Sequence, residues 1–402
     1  MQFLHQILVN IFGGYETMKK SLKLLALFMA FAMCMTLFTA CGEKEATTFK
    51  IGGIGPLTDS AAQYGNAVKN AAELAVKEIN ENGGVNGVKL EFNMQDDVAD
   101  GEKSVNAYNN LKDWGMQILM GTVTSGACLS VIDLTKQDNM FQLTPSASAK
   151  DVVKYDNCFQ VCFTDPNQGS ASAQYISDNK LATKIAVIYD SSDAYSSGIY
   201  DKFMDKAKEL KLNVVSEKSF TKDSKTDFSA QISDAKSKGA DLVFLPIYYN
   251  EASLILNQCK QAEYAPKFFG CDGLDGLLGI ENFDKSLAEG VMLLTPFAAD
   301  SEDAATQKFV KAYKEAYKDT PNQFAADAYD AIYIIAELLK NGKVEVGAST
   351  SDICEALKAQ ITADGYSFDG LTGADMSWEK TGEVNKAPAA VVIKNGAYSA
   401  MK

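Results

Sequence analysis

The amino-acid sequence predicts an α/β protein built from two lobes, each with a doubly wound parallel sheet. Apolar strands alternate with helices of 10–20 residues, and the alternation runs twice, with a break near residues 163–170. Such repeats form right-handed βαβ units, so the strands lie parallel and helices cover both faces of each sheet. The chain of 402 residues has room for two to three domains of about 150 residues each.

The first run begins with an apolar strand over 49–54 and a helix over 61–80, whose apolar residues recur at helical spacing. Gly83-Gly84 ends this helix, and Asn86-Gly87 forms a tight turn into the next strand. The rest of the run is a strand, a helix, a strand, a helix and a strand, over 88–94, 101–113, 118–120, 126–137 and 141–143.

The second run follows an irregular stretch. It has four strands, over 184–189, 213–218, 241–246 and 267–269, alternating with three helices, over 197–209, 227–237 and 251–261. Three more helical stretches come next, over 302–318, 323–341 and 351–360. The chain then ends in a hairpin that turns at Asn395-Gly396.

The composition excludes most enzyme classes and nucleic-acid binding. Lys+Arg is 38 against Asp+Glu 52, a net charge of −14, and every one of the 38 cations is a lysine. The one histidine, His5, lies in a segment predicted to be removed, so the mature protein lacks the base of Ser-His-Asp and Cys-His sites and the usual zinc and iron ligand. Nucleic acid requires a basic surface. We therefore expect no catalysis, no metal and no cofactor.

The first forty residues predict export. Lys19, Lys20 and Lys23 precede an apolar run over 24–38, and Ala40-Cys41-Gly42 follows. A basic start, an apolar core and small residues before a cut are typical of a secretory signal peptide, here residues 1–40. Residues 1–17 precede the basic cluster and can stem from an upstream start site.

This segment resembles a bacterial lipoprotein signal, although Phe38 stands where that family prefers Leu. The resemblance implies that cleavage leaves Cys41 as a lipidated N-terminus and residues 41–47 as a linker. The protein would then be extracytoplasmic and anchored to the cell membrane by lipid. The alternative is a plain cleaved signal with an incidental cysteine.

Six cysteines remain after Cys41, and none belongs to a C-x-x-C pair. Cys158 and Cys162 lie in an apparent strand, which would separate them by roughly 13 Å, too far for a disulfide. We expect the six to be mostly small buried hydrophobic side chains, with zero to two disulfides.

Ligands of open α/β sheets bind beyond the carboxyl ends of the strands, so the loops there are candidate sites. In the first run, the loops over 121–126 and 144–148 are rich in hydroxyl groups, and Ser125 and Ser148 are placed to cap helices or to bind an anion. Since the chain has no arginine, a ligand carboxylate would depend on such hydroxyls, on backbone N–H groups and on the helix dipole. The alternative is that these serines only cap their helices.

In the second run, the corresponding loops offer aromatic rings and a carboxylate, in Tyr195, Tyr248 and Asp272. If the two sets of loops face each other, they suit a zwitterion, with its carboxylate on the first lobe and its ammonium group near tyrosine faces and Asp272. The alternative is that these are surface residues without a function.

Several short motifs resemble those of the type I periplasmic binding proteins, above all the Leu/Ile/Val-binding subunits of ABC importers. They are Ile54-Gly55-Pro56-Leu57-Thr58, Ala62-Gln63-Tyr64-Gly65, Asn82-Gly83-Gly84-Val85-Asn86-Gly87 and Asp96-Asp97, and the resemblance extends over about 48–400. It implies a Venus-flytrap of two lobes joined by three crossovers. Lobe 1 would comprise 48–165 plus 297–370, and lobe 2 would comprise 166–296 plus 371–402.

The resemblance also implies roles for individual residues. The ligand carboxylate would be bound by Ser125 and by backbone N–H groups of Ser146-Ala147-Ser148, and the Ser148 hydroxyl would also meet the ammonium group. The acidic partner of that group falls on Asp272, where Leu-binding members carry Glu. The aromatic lining falls on Tyr64, Tyr195, Tyr248 and Phe324.

These observations predict a substrate-binding protein of an ABC importer that captures a free amino acid, branched-chain or aliphatic, between two closing lobes. Its partners would be the permease and ATPase subunits, and the protein itself would be a monomer. One alternative is a sensory ectodomain that signals to a kinase or chemoreceptor. Another is a binder of a different small solute, such as an amide or an aromatic acid.

Overall fold

The computed structural model describes residues 47–401, whose strands form one sheet of five strands and one of seven. The predicted signal peptide over 1–40, the predicted lipidation site Cys41 and the linker up to residue 46 lie outside the described residues. Within residues 47–401, no helix combines the length and the apolar character that a membrane span requires.

The first sheet is entirely parallel, with the strand order β2-β1-β3-β4-β5. Helices cover both of its faces, which explains why its central strand, Ile118–Gly121, is buried at every residue. Its strands and the helices that connect them are β1 (Thr48–Gly55), α1 (Ala62–Glu81), β2 (Lys89–Asp96), α2 (Gly101–Trp114), β3 (Ile118–Gly121), α3 (Ser125–Gln137), β4 (Gln142–Thr144) and β5 (Cys158–Gln160).

The second sheet has the order β12-β11-β10-β9-β8-β6-β7, parallel from β10 to β7 and antiparallel at β11 and β12. The elements after β5 are, in chain order, α4 (Asp165–Asp178), β6 (Ile185–Asp190), α5 (Ala194–Glu209), β7 (Val214–Phe220), α6 (Ser229–Ser237), β8 (Leu242–Leu245), α7 (Tyr249–Gln261), β9 (Lys267–Gly270), β10 (Met292–Thr295), α8 (Ala304–Tyr317), α9 (Gln323–Asn341), α10 (Thr350–Ile361), β11 (Ala389–Lys394) and β12 (Ala397–Ala400).

The helices that follow β10 return to the first sheet. Helix α9 packs along α1, while α8 contacts α1 and α10 contacts both α9 and β3. Helix α9 is buried on nearly all sides, with Ala331, Ile335 and Leu338 inaccessible to solvent. We call the five-stranded sheet with the helices packed on it the first lobe, and the seven-stranded sheet with its helices the second lobe.

The chain passes between the two lobes three times, after β5, after β10 and after α10. The predicted fold class, two doubly wound lobes joined by three crossovers, is therefore confirmed, with an antiparallel pair of strands added at one edge of the second sheet. The residue boundaries of the lobes stay a prediction.

Two elements differ from the sequence prediction. Helix α4 fills much of the stretch predicted to be irregular, and β10 was not predicted at all. Helix α4 is rich in small and polar residues, so it lacks the apolar spacing that reveals a helix. Its start is marked instead by Thr164, whose hydroxyl accepts a hydrogen bond from the Asn167 N–H, and by Pro166 in its first turn.

The six cysteines of the described residues are all buried and unpaired. They are Cys128, Cys158, Cys162, Cys259, Cys271 and Cys354. The expectation that they act as small buried side chains is confirmed. Strand β5 ends at Gln160, so Cys162 lies just beyond it.

Candidate functional site

Loops from both lobes meet at a cavity beyond the carboxyl ends of the parallel strands, where ligands of open α/β sheets bind. Its volume is about 20 Å³, which is room for about one water molecule. Seven of the nine predicted ligand-binding residues line it, while Ala147 and Ser148 do not. The complete lining is Tyr64, Val123, Thr124, Ser125, Ser146, Tyr195, Tyr248, Asp272, Gly273 and Phe324.

Ser125 joins the two hydroxyl-rich loops of the first lobe. It is the first residue of α3, and its Oγ accepts the N–H groups of Ser148 and Ala149, each at 3.1 Å. Thr124, not Ser125, occupies the N-cap position of α3, and its hydroxyl makes no capping hydrogen bond. Helix capping therefore does not explain Ser125. Among the described residues its own hydroxyl proton has no acceptor, which leaves that proton for a ligand.

The loop after β4 is held by hydrogen bonds to groups of the first lobe itself. Thr144 Oγ1 accepts the N–H of Ala147 at 2.9 Å and that of Ser146 at 3.3 Å, and it donates to the carbonyl oxygen of Thr122. The Ser146 hydroxyl donates to the carbonyl oxygen of Val123 at 2.6 Å. The three N–H groups predicted to bind a carboxylate are thus directed at hydroxyl groups of this lobe. Of Ser146, Ala147 and Ser148, only Ser146 lines the cavity.

Asp272 is the carboxylate of the second lobe, and only 3% of its surface is exposed. Tyr195 Oη donates to Asp272 Oδ1 at 2.7 Å and accepts the N–H of Gly273 at 2.8 Å. Burial raises the pKa of Asp272 to about 7, although hydrogen bonds from Tyr195 and Gln168 oppose the rise. A buried carboxyl group that ionises so close to neutrality favours a cationic partner.

Four aromatic rings form the remaining wall. Tyr195 stacks on Tyr248 with ring centroids 5.0 Å apart, and Tyr64 meets Tyr248 edge-on at 5.5 Å. Phe324 lies 4.5 Å from the Tyr64 ring. These faces suit an apolar side chain, and tyrosine faces also attract a cation.

Two glycines allow this close packing. A Cβ atom at Gly65 would lie 1.9 Å from the carbonyl oxygen of Pro56, so only glycine lets α1 begin against that turn and place Tyr64 in the cavity. A Cβ atom at Gly273 would lie 2.6 Å from Tyr195 Oη. A larger residue at either position would displace cavity-lining tyrosines.

Three residues that hold the site together are not evident from the sequence. Gln168 Oε1 accepts the N–H of Asp272, and Gln323 Nε2 donates to the Asp272 carbonyl oxygen at 3.1 Å. The Tyr249 N–H donates to Tyr64 Oη at 3.2 Å. The predicted irregular stretch hid Gln168, whereas Tyr249 adjoins the predicted Tyr248 and Gln323 adjoins the predicted Phe324.

The residues that line the cavity supply groups that can bind a small ligand. The first lobe lines the cavity with hydroxyl groups, the second lobe with a carboxylate, and both lobes contribute aromatic rings. In the part of the chain that the structure describes, no group of three His, Cys, Asp or Glu residues is placed to hold a metal ion.

Comparisons with known proteins identify the family. The family described as "Periplasmic binding protein" matches residues 48–397. The Leucine-, isoleucine-, valine-, threonine-, and alanine-binding protein of Pseudomonas aeruginosa is 29% identical over 370 residues, which are 91% of this chain and 95% of that protein. The Leu/Ile/Val-binding protein homolog 3 of Brucella melitensis is 30% identical over 342 residues, covering 83% of this chain and 88% of the relative.

Solved structures agree with these relatives. The branched-chain amino acid transporter substrate binding protein LivJ of Streptococcus pneumoniae, in complex with isoleucine, is 28% identical with a TM-score of 0.79, over 88% of this chain and 98% of that one. A solute binding protein of R. palustris in complex with benzoate has a TM-score of 0.77 at 21% identity, which shows the shared fold. The family match and the two-lobed fold agree with each other, and the chain belongs to the periplasmic binding protein family.

Proposed function

We propose that this protein is the extracytoplasmic substrate-binding protein of an ABC importer and that it captures a free aliphatic amino acid, with branched-chain amino acids as the main candidates. The observation that carries the proposal is the pairing of Ser125 on one side of the cavity with Asp272 on the other. A hydroxyl donor suits a carboxylate and a buried carboxylate suits an ammonium group, so the pair suits a zwitterion.

The aromatic wall supports an aliphatic side chain. Tyr64, Tyr248 and Phe324 present apolar ring surface to the same cavity. Burying a Leu, Ile or Val side chain there contributes about 1.5–3 kcal/mol to binding. The relatives named above as Leu/Ile/Val-binding proteins support the same class of ligand.

The proposed mechanism is closure of the two lobes on the ligand. A ligand whose carboxylate contacts the first lobe and whose ammonium group contacts the second gains both sets of contacts only when the lobes meet, so it favours the closed state. The permease would recognise that state and receive the amino acid. No covalent step is required.

The lipid anchor at Cys41 is part of the proposal. In cells, wild-type protein would sediment with membranes and incorporate labelled fatty acid, whereas Cys41→Ser would be released and unlabelled. Equal membrane association of the two proteins would contradict the anchor without affecting the binding function.

A thermal-shift panel tests the proposed ligand class. Soluble protein that begins after Cys41 is unfolded and refolded to remove carried ligand, and is then exposed to the standard amino acids, amides, urea, sugars and aromatic acids. A ligand that binds only the folded protein stabilises it by about 2.7 kcal/mol at a hundredfold over its Kd, a shift of a few degrees. We expect Leu, Ile or Val to stabilise the protein. Stabilisation by an amide or an aromatic acid alone would reject the amino-acid proposal.

A further inference from the structure

A second cavity lies between the two lobes, apart from the candidate ligand site. Its volume is about 560 Å³, within the range of about 300–1,000 Å³ that is usual for small-molecule sites. The first lobe contributes α1, α8 and the turn before α9, and the second lobe contributes the loop after β9 and the hairpin of β11 and β12. Among the described residues, the two cavities share none of their lining. The second cavity is therefore a separate candidate for a ligand.

Asp275 is the buried acid of this cavity, with 4% of its surface exposed. Its Oδ2 accepts the N–H of Gln323, the first residue of α9, at 3.0 Å. Its Oδ1 is also buried, and among the described residues it has no hydrogen-bonding partner. Holding the start of α9 accounts for one oxygen of Asp275 and leaves the other unexplained, because a buried polar atom without a partner destabilises a fold.

The charges that line the cavity leave Asp275 without a counterion. Burial raises its pKa to about 6, against the hydrogen bond that it accepts from α9, so this carboxyl group is mostly ionised at neutral pH. The exposed part of the lining holds Asp300 and Asp319 together with Lys285 and Lys314. Three carboxylates against two lysines give the lining a net charge of −1. The cavity therefore suits a ligand with one positive charge.

The rest of the lining suits an organic ligand. Leu278, Phe297 and Val310 supply apolar surface, and Tyr398 adds an aromatic ring whose face can attract a cation. The hydrocarbon part of an organic cation gains free energy by burial on such a surface, whereas a hydrated inorganic ion does not.

Hydrogen bonds connect this cavity to the candidate ligand site. The Gln323 N–H donates to Asp275, and its Nε2 donates to the carbonyl oxygen of Asp272. Gln63 Nε2 in the first lobe donates to the Gly279 carbonyl oxygen in the second at 2.9 Å, and both residues line the second cavity. A ligand in this cavity would contact both lobes, so it would favour the closed state to which the amino acid is also proposed to bind.

We propose that this cavity is a second ligand site for a small organic cation with a primary ammonium group, and that its occupant strengthens amino-acid binding by favouring the closed lobes. The ammonium group donates to Asp275 Oδ1, and the hydrocarbon part lies against Phe297 and Val310. The coupling between the two sites rests on the proposed amino-acid ligand, whereas the second site itself does not.

The test uses n-butylammonium chloride as the probe. Its controls are butan-1-ol, which has no charge, and potassium chloride at the same ionic strength. We expect n-butylammonium alone to raise the thermal midpoint of refolded wild-type protein. Calorimetric titration should then show an L-leucine affinity at least about fivefold higher in saturating n-butylammonium than in potassium chloride, the lower end of typical coupling between sites.

Asp275→Asn is the main variant. Its remaining side-chain oxygen can still accept the Gln323 N–H, while the charge is lost and an amide NH₂ replaces the unpartnered oxygen. We expect L-leucine affinity in potassium chloride within about threefold of wild type and no response to n-butylammonium. Asp97→Asn is the matched control, because Asp97 is a buried carboxyl group outside both cavities, and it should keep the response.

A second variant tests the same site without changing a buried residue. Lys314 is exposed on α8 and lines the cavity, so Lys314→Gln removes a positive charge near the ligand and should strengthen n-butylammonium binding by about 1.5- to 5-fold. Lys308→Gln is its control, since Lys308 is exposed on the same helix and does not line the cavity. Equal n-butylammonium affinities for wild type and Lys314→Gln would count against the site.

Three results would overturn the inference while leaving the proposed function intact. They are an equal rise of the thermal midpoint in potassium chloride, an unchanged response in Asp275→Asn, and an unchanged or lower L-leucine affinity in n-butylammonium, the lower value being expected if the probe competes for the amino-acid site. A wild-type protein that binds none of L-leucine, L-isoleucine and L-valine would instead contradict the proposed function, and the thermal midpoint in n-butylammonium would still decide whether the second site exists.

Discussion

The hydroxyl of Tyr64 donates a hydrogen bond of 2.6 Å to the carbonyl oxygen of Gly273. Tyr64 lies in the first turn of α1 in the first lobe, and Gly273 follows β9 in the second lobe, so this bond links the lobes directly at the cavity wall. Both residues line the cavity, and Gly273 adjoins Asp272. The contact that joins the lobes is therefore also part of the candidate ligand site.

Removing this hydroxyl should weaken the closed state. Tyr64→Phe leaves the ring in place but loses the bond to Gly273 and the acceptor for the Tyr249 N–H. We expect about 0.5–1.5 kcal/mol weaker binding, roughly 2- to 10-fold, mostly through faster dissociation in stopped-flow experiments. Tyr108→Phe is the control, since it removes a comparable bond to Asp138 away from the cavity and should not change the dissociation rate. Equal rates for wild type and Tyr64→Phe would refute the link.

Ser125→Ala should affect both binding and stability. A ligand carboxylate would lose its hydroxyl donor, so calorimetry should show binding weakened by about 1–3 kcal/mol. The N–H groups of Ser148 and Ala149 would also lose their acceptor, which should lower the thermal midpoint. Ser130→Ala, on the same helix, removes only an exposed hydroxyl that donates to the Gly126 carbonyl oxygen and should change neither quantity much. Unchanged affinity in Ser125→Ala would remove Ser125 from the site.

Binding should depend on pH through Asp272. The pKa of Asp272 is raised from 3.8 to about 7 in the folded protein, mainly by burial. Ionising Asp272 therefore lowers the free energy of unfolding of the unliganded protein as the pH rises from 3.8 to about 7. An ammonium group offsets this cost, because it favours the ionised carboxylate. Amino-acid affinity should therefore rise from about pH 5.5 and level off above about pH 7, with proton release on binding at the lower pH.

Asp272→Asn should flatten that profile and weaken binding by about 1–3 kcal/mol. Titrations in buffers of different ionisation enthalpy measure the released proton directly. A wild-type profile that is already flat between pH 5.5 and 7 would show that Asp272 does not bind the ammonium group.

Lys386 should be essential for stability. It is buried to 9% exposure, and its Nζ donates to Asp327 Oδ1 at 2.7 Å, to Thr372 Oγ1 at 2.6 Å and to the Val161 carbonyl oxygen at 2.9 Å. These partners belong to α9, to the last crossing segment and to the first one. Lys386→Met would leave Asp327 as an unpaired buried charge, which costs about 3–5 kcal/mol.

Urea unfolding of the Lys386 variant measures that loss. A double variant, Lys386→Met with Asp327→Asn, also removes the unpaired buried charge of Asp327. It should recover part of the lost free energy of unfolding. If the single variant unfolds at the wild-type urea concentration, the ion pair does not hold the crossing segments.

Much of the fold, and with it the loops that form the candidate site, could be predicted because the strands and helices have local sequence patterns. Parallel strands place their carboxyl ends on one edge, so the loops that contain Ser125, Tyr195 and Asp272 could be identified from strand positions alone. The sequence does not predict helix α4 because its residues are small and polar and lack the apolar spacing of a helix, so Gln168 was missed as well.

The detailed hydrogen bonds of the site could not be predicted from local patterns. Ser125 accepts the N–H groups of Ser148 and Ala149, more than twenty residues further along the chain, and Ser148 does not line the cavity. Such contacts depend on how the loops after β3 and β4 pack together, which the spacing of serines does not determine.

The most direct test of a zwitterion bound between Ser125 and Asp272 is calorimetric titration of refolded wild-type protein with three matched probes. They are L-leucine, L-leucinamide, which lacks the carboxylate, and 4-methylpentanoic acid, which lacks the ammonium group. We predict saturable binding of L-leucine and at least about tenfold weaker binding of each analogue, because each leaves one buried polar group of the site without its partner. An affinity for either analogue equal to that for L-leucine would contradict this account.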